Sequence, residues 1–350
     1  MGASPMPPPY YFPRICISAG ASGMLKEATQ IGRPMMSPKV IIKSGLFRAA
    51  GYFKPGKSSA GALAPEHLAY LTRKNPALVD LKQRYERAPK PEHSAWTHWE
   101  NSIELRRFRG ENDYLSQAYF RQTGFRYSLT AAYTEMVDQW KLLDTLTEDD
   151  RFGVKTWDVL PGKVITRDLL DSILEIYFLR EALSLERNSN LRVLDIGAGY
   201  GRLAHRVTSA FPQAHVTCTD AVATSTFLSE FYLRYRNAAE RTRVVPFDKL
   251  TELRPGNYDL AVNVHSWTEC TRAFVAFWLD RVVDLGIKNL FVVPHFGDFA
   301  TTERDGTMGT YEPELKRHGF KQVRHQPKCH LSKIVQTSCI NPADYRFFQR

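Results

Sequence analysis

Residues 191–206 read LRVLDIGAGYGRLAHR. A short apolar strand runs to Asp195-Ile196, three glycines follow at 197, 199 and 201, and a helical pattern opens at Arg202-Leu203-Ala204. Glycine at such a turn lets the backbone come close to a ligand and adopt conformations closed to side chains, and the helix start behind it offers unpaired N–H groups. Downstream, short apolar segments alternate with helical ones. The strand candidates are 192–196, 215–219, 243–246, 258–264, 289–293, 320–325 and 332–337. Several are apolar throughout, as strands covered on both faces are. Phe274, Phe277, Trp278, Arg281, Val282 and Leu285 keep the i, i+3, i+4, i+7 rhythm of a helix that Gly286 stops. This alternation implies an α/β fold with a doubly wound, mostly parallel seven-stranded sheet.

Upstream of the glycine turn the texture is helical and aromatic. Thr166 is placed to cap a helix over Asp168–Leu183 with an apolar stripe. Met136, Val137, Trp140, Leu143 and Leu146 predict one helix over Tyr133–Leu146, closed by Glu148-Asp149-Asp150. Residues 1–60 mix Pro, Gly, Ser and basic side chains, and read as a partly flexible arm with a short helix near Lys39–Ala50. The expected organisation is an arm over 1–60, a helical substrate or lid region over 61–185 and a ligand-binding domain over 186–350.

The dinucleotide fingerprint GxGxxG would place glycine at 202, where Arg202 stands. The spacing is GxGxG with Asp195 two residues ahead, a form that suits S-adenosylmethionine better than NAD; a tight structural turn is the plainer alternative. Asp220 ends the next strand, 21 residues past Gly199, where an acid accepts ribose hydroxyls or else caps a helix. Phe247-Asp248, after the third strand, would flank adenine and accept its amine. The fourth strand gives YDLAVNVHSWTECT (258–271) and would turn Asn263, His265, Ser266, Trp267 and Glu269 toward the ligand crevice. Methylating a hydroxyl requires removing its proton. His265, with a free-imidazole pKa near ~6.5, is the first candidate base, oriented by Glu269. Alternatively, His265 packs behind the cofactor and Glu269 caps the next helix. His295 is the rival base, with Asp298 as partner. Asn263 stands where a metal-binding carboxylate is usual, so no metal site is expected.

These motifs and their order resemble the class I S-adenosylmethionine-dependent methyltransferases, whose sheet is Rossmann-like. The N-terminal half is similar to bacterial sugar O-methyltransferases of polysaccharide and glycoside tailoring. Its carrying segments are LRRFRGENDYLSQ (105–117), EDDRFGVKTW (148–157) and VITRDLLDSILEIYFL (164–179), with Trp267-Thr268-Glu269 fitting as well. The resemblance implies that Asp195, Gly197, Gly199, Gly201, Asp220 and Asp248 bind the cofactor. Arg167 would reach the cofactor carboxylate or pair with Asp168 or Asp171. The implied acceptor is a sugar hydroxyl of a nucleotide sugar, glycoside or glycan, and Trp96, Trp99, Tyr114, Tyr119, Tyr127 and Tyr133 suit a sugar's apolar face or simply a core. A polyketide, a phenol or, further off, RNA are the alternatives, and a non-catalytic binding module is a third reading.

Composition narrows the field. The 350 residues are 43% hydrophobic and 24% charged, which excludes collagen, coiled coil and wholesale disorder. The net charge of +10 is carried by the ends. Residues 1–60 hold eight basic residues against Glu27, and 316–350 hold eight against Asp344, leaving about −4 for the middle. The basic ends raise the question of an anionic acceptor, whereas no RNA-stacking motif accompanies them, so nucleic acid is not expected. Cys16, Cys218, Cys270, Cys329 and Cys339 form no CxxC, in keeping with a reducing compartment. No apolar run reaches the ~18 residues of a membrane span, and no signal peptide is visible. The expectation is a soluble cytoplasmic protein with S-adenosylmethionine as cofactor; a homo-oligomer stays open.

Overall fold

Strand β1 (Arg192–Ile196) lies at the centre of the sheet, between β2 (His215–Thr219) and β4 (Leu260–Val264). The computed structural model describes residues 63–89, 100–110, 114, 123–295 and 299–350. The expected arm over 1–60 with its short helix, Trp96, Trp99, Tyr119 and Asp298 lie outside these residues. Beyond β2 comes β3 (Thr242–Val244), and beyond β4 comes β5 (Asn289–Val293). A separate antiparallel hairpin, β6 (Ala300–Thr302) and β7 (Met308–Thr310), precedes β8 (Lys321–Pro327) and β9 (Asp344–Gln349). The sheet order is β3-β2-β1-β4-β5-β9-β8, parallel from β3 to β5 and antiparallel at β9 and β8. The fold is therefore the Rossmann-like, mostly parallel seven-stranded sheet, with helices on both faces and a helical region ahead of it. The strand order switches sides of the sheet between β1 and β4, and a crevice outside the strand carboxyl ends follows there.

Helices α1 (Pro65–Tyr70), α2 (Pro76–Arg87), α3 (Thr123–Val137), α4 (Leu142–Thr145) and α5 (Arg167–Leu183) precede the sheet. Within it lie α6 (Arg202–Ala210), α7 (Ala223–Tyr235) and α8 (Arg272–Asp284), then α9 (Glu312–Arg317) and α10 (Lys333–Ser338). Two apolar cores form, one per sheet face. Val193 and Val216 join α3, α5 and α6 in one; Leu194 and Ile196 join α2, α7 and α8 in the other. The N-terminal helices thus share cores with the sheet. Among the described residues no helix is long and apolar enough to cross a membrane.

Two element assignments need correction. The single helix expected over Tyr133–Leu146 is broken after Val137. Asp138 is buried and accepts the backbone N–H groups of Leu142 and Leu143 at 2.8 and 2.7 Å, and the Tyr177 hydroxyl at 2.7 Å. An aspartate capping a new turn outcompetes continuation of the old one. The strand expected over 332–337 is helix α10, capped by Ser332, whose Oγ accepts from Val335 N. Leu331 and Ile334 are 63% and 61% exposed, a state no inner strand permits. The seventh strand is instead β9, whose DYRFFQ puts Tyr345 and Phe347 in one core and Phe348 in the other. Burial on two faces overrides the β-propensity of Ile334 and Val335.

Candidate active site

A cleft opens over the carboxyl ends of β1, β2 and β4, where ligands bind in open α/β sheets. Its floor is the glycine turn. Gly197, Gly199 and Gly201 have φ of +72°, +58° and +86°, where a side chain is strained. At Gly197 space is also lacking: a Cβ would stand 2.1 Å from Ser266 Oγ. The Gly197 N–H donates to Thr219 O at 2.9 Å and ties the turn to the end of β2.

Asp220 braces the same turn, accepting Gly199 N at 3.0 Å and Val222 N at 2.8 Å. Burial raises its pKa to about 7 despite these bonds, with Glu100 and Glu269 adding to the rise. Asp195 is 4% exposed, lines the cleft and has no side-chain hydrogen bond among the described residues. Burial lifts its pKa to about 7; Arg202 opposes the shift, while Glu175 and Asp220 reinforce it. A buried carboxylate facing a cleft without a partner suits a cationic ligand. Together with a turn that only glycine can make, this fits S-adenosylmethionine, which carries a sulfonium, an ammonium and a ribose.

Further along, the walls are Ala221, Val222, Cys270, Phe274 and Trp278, an apolar slot for a flat ring, with Tyr114 and Ser225 closing the side. Phe247 and Asp248, expected at adenine, do not line the cleft. Phe247 packs among Phe274, Phe277 and Trp278, and its N–H donates to Tyr85 Oη at 2.7 Å. Asp248 takes a 2.6 Å bond from Arg84 Nη1. Helix α2 thus occupies the outer side of these residues, an arrangement no local spacing announces.

Asn263 is buried and fully engaged: Nδ2 donates to Ile196 O at 2.9 Å and Ser266 Oγ at 2.5 Å, and Oδ1 accepts from Trp267 N. It joins the ends of β1 and β4 rather than lining the cleft. Arg167 is buried, and its Nε bonds Asp171 Oδ2 at 3.0 Å, one of the pairings the sequence left open.

His265 and His295 both line the cleft with Glu269, their rings stacked at 4.5 Å with planes 21° apart. Glu269 faces His295, with Oε1 3.6 Å from Nε2. His265 sits in the left-handed region at φ +66°. Its pKa is driven well below the usual imidazole value by burial, then by His295, Arg167, Arg202 and Lys328. On its far side Asn341 Nδ2 approaches Nε2 at 3.5 Å. Sequence reading had not singled out Asn341, Ser225 or Cys270 as site residues, and had taken Phe274 and Trp278 only for a helix stripe.

Four basic residues of the C-terminal stretch are paired with acids. Lys316 pairs with Glu312, Arg317 with Glu314, Arg324 with Glu181, and buried Lys328 with Asp171 and two carbonyls. Among the described residues no group of three or more His, Cys, Asp or Glu side chains is placed to hold a metal.

Comparison with known proteins agrees with this geometry. The family model described as Methyltransferase small domain matches residues 177–264. No curated protein matches the sequence. Similar solved structures include geranyl diphosphate methyltransferase in complex with GPP and sinefungin, at 11% identity and TM-score 0.39, covering 52% of this chain and 79% of that one. The mitomycin 7-O-methyltransferase MmcR gives 18%, 0.37, 52% and 56%. The N,N-8-amino-8-demethyl-D-riboflavin dimethyltransferase RosA of Streptomyces davawensis gives 21%, 0.35, 52% and 57%. Over residues 177–264 the chain is similar to a methyltransferase domain, which supports an S-adenosylmethionine-dependent methyltransferase in general. S-adenosylmethionine is its cofactor.

Proposed function

We propose that this domain methylates a hydroxyl oxygen, with His295 as the general base and Glu269 as the group that orients it. The observation that carries the reading is the His295–Glu269 pair in the cleft wall. Bound S-adenosylmethionine supplies an electrophilic methyl group. His295 takes the acceptor's hydroxyl proton on its imidazole, and the Glu269 carboxylate stabilises the imidazolium so formed. His295 keeps 27% side-chain exposure and faces Glu269, whereas His265, half-buried and with its pKa held low by desolvation and neighbouring positive charge, provides a flat uncharged wall beside it. This reverses the order of the two histidines expected from the sequence. We infer a sugar hydroxyl as the acceptor, of a nucleotide sugar, glycoside or glycan, on the likeness of segments 105–117, 148–157 and 164–179.

The test is release of S-adenosylhomocysteine and product mass gain with deoxysugar, hexose and nucleotide-sugar acceptors. General bases contribute roughly 10²–10⁴-fold, so His295→Ala should lose that much turnover while cofactor affinity stays within about twofold. An equal loss in His265→Ala with His295→Ala unaffected would assign the base to His265. Absence of mass gain on every sugar would remove the sugar class and leave the methyltransferase domain untouched.

A further inference from the structure

Segments 105–117, 148–157 and 164–179, far apart in sequence, meet around one buried side chain. Arg109 is fully buried and spreads its guanidinium over two acids of the second segment and one of the third: Nη2 to Glu148 Oε1 at 2.7 Å, Nη1 to Asp149 Oδ1 at 2.9 Å and Nε to Asp168 Oδ2 at 3.0 Å. Two further arginines close the charge. Arg206 Nη2 reaches Glu148 Oε2 at 2.6 Å, and Arg236 Nη1 reaches Asp149 Oδ2 at 2.8 Å. Three arginines face three acids, and Thr166 Oγ1 adds a 2.5 Å bond to Glu148. The surrounding arginines hold the Glu148 carboxyl well below its ordinary pKa, outweighing its burial.

One arm of this network reaches the cofactor turn. The hydroxyl of Tyr200, which stands between Gly199 and Gly201 and lines the cleft, donates to the same Asp168 Oδ2 that Arg109 Nε holds. The Tyr200 ring is packed edge-on by Tyr232 at 5.1 Å and Tyr114 at 5.4 Å. Tyr114 itself lies against Gly199 and bonds Ser225 Oγ at 3.0 Å. A turn with three positive-φ glycines is intrinsically soft, and its N–H groups serve a ligand only when held in place. A buried ion network is no cheaper for stability than apolar packing of equal volume, so its reach to this turn calls for a purpose.

We propose that Arg109 and Asp168 are positioning residues for the glycine turn, acting through Tyr200, so that the N-terminal helical region sets the affinity for S-adenosylmethionine. The arm through Arg236 and Asp149 reaches Tyr200 through the edge-on ring of Tyr232 and, among the described residues, makes no hydrogen bond toward the turn.

The experiment is calorimetric titration of the full chain with S-adenosylhomocysteine, beside a thermal melt of each variant. A hydrogen bond to a charged group is worth enough to shift binding about tenfold. Tyr200→Phe, which deletes one oxygen and leaves Asp168 paired to Arg109, should weaken binding about tenfold. Arg109→Lys, which keeps the charge and loses the fork, should do the same. Arg236→Met should lower the melting temperature with affinity within about twofold of wild type. Wild-type-like affinity in both Tyr200→Phe and Arg109→Lys overturns the proposal, as does an equal loss in Arg236→Met, which would make the network a scaffold only. Wild-type binding of the same probe reports on the cofactor site independently.

Discussion

Asp195→Asn should make the unliganded protein more stable and its cofactor binding worse, with a pH signature that follows from the site. Asp195 is buried against the cleft, and its pKa stands at about 7, against ~3.9 for an unstructured aspartate. Between these values the folded chain holds a proton that the unfolded chain has lost. Stability therefore falls as pH rises from ~4 to about 7 and is flat above. At ~1.4 kcal/mol per unit, the proton the folded chain must hold, or the buried charge it must carry, costs about 1–2 kcal/mol at pH 5 and ~4 kcal/mol at pH 8. Asparagine carries no charge in either state and escapes the cost. Because Asp220 titrates in the same range and raises Asp195, part of the penalty is shared, and ~4 kcal/mol is a ceiling. Urea denaturation of wild type and variant at pH 5, 6, 7 and 8 measures the difference directly, and it should widen with pH up to about 7. S-adenosylmethionine affinity at pH 8 should drop in the same variant, because the cationic ligand loses its counter-charge. Parallel stability curves for the two proteins across pH 5–8 would refute the reasoning.

Two other outcomes follow from specific contacts. Gly197→Ala puts a methyl 2.1 Å from Ser266 Oγ at φ +72°, and the thermal shift on adding S-adenosylmethionine should vanish. Adding Ser266→Gly removes the contact, leaves strain of roughly 1 kcal/mol and should restore part of the shift; no recovery would mean that the contact is not what fails. Asp138→Ala strips the caps from Leu142 N and Leu143 N and the partner of Tyr177 Oη. A loss of about 2 kcal/mol in urea denaturation is expected, and a loss below about 0.5 kcal/mol would show the break at Val137 to be set elsewhere.

Strands β1, β2 and β5 were legible to the residue because each is a short apolar run bounded by turn or polar residues, and the cap at Thr166 because the pairing is local. The same local logic failed at 332–337, where β-branched residues stand next to a serine able to cap a helix. Which one prevails depends on whether Leu331 and Ile334 are buried, and they are not. It failed again at Asp138, whose choice between helix interior and cap is decided by Tyr177 and α4.

That Asp195, Gly197, Gly199 and Asp220 line the cleft at the strand ends could be read from the sequence because strand, turn and helix start are contiguous, so spacing alone places them there. The partners of His265, Glu269, Asp248 and Arg109 could not. Each is settled by a residue distant in the chain: His295 beside Glu269, Arg84 on Asp248 across 164 positions, Asp168 between Arg109 and Tyr200. The charge at the C-terminus shows the same division. Composition counts the cations, but pairing with Glu181 and Asp171 depends on which helix packs on which strand. Short-range sequence determined the cofactor turn, because backbone conformation there depends on neighbours a few residues away. The tertiary structure decided which side chains face His265 and Glu269, which apolar residues wall the cleft, and the buried ion network, because side chains from separate elements meet only after the sheet has brought them together.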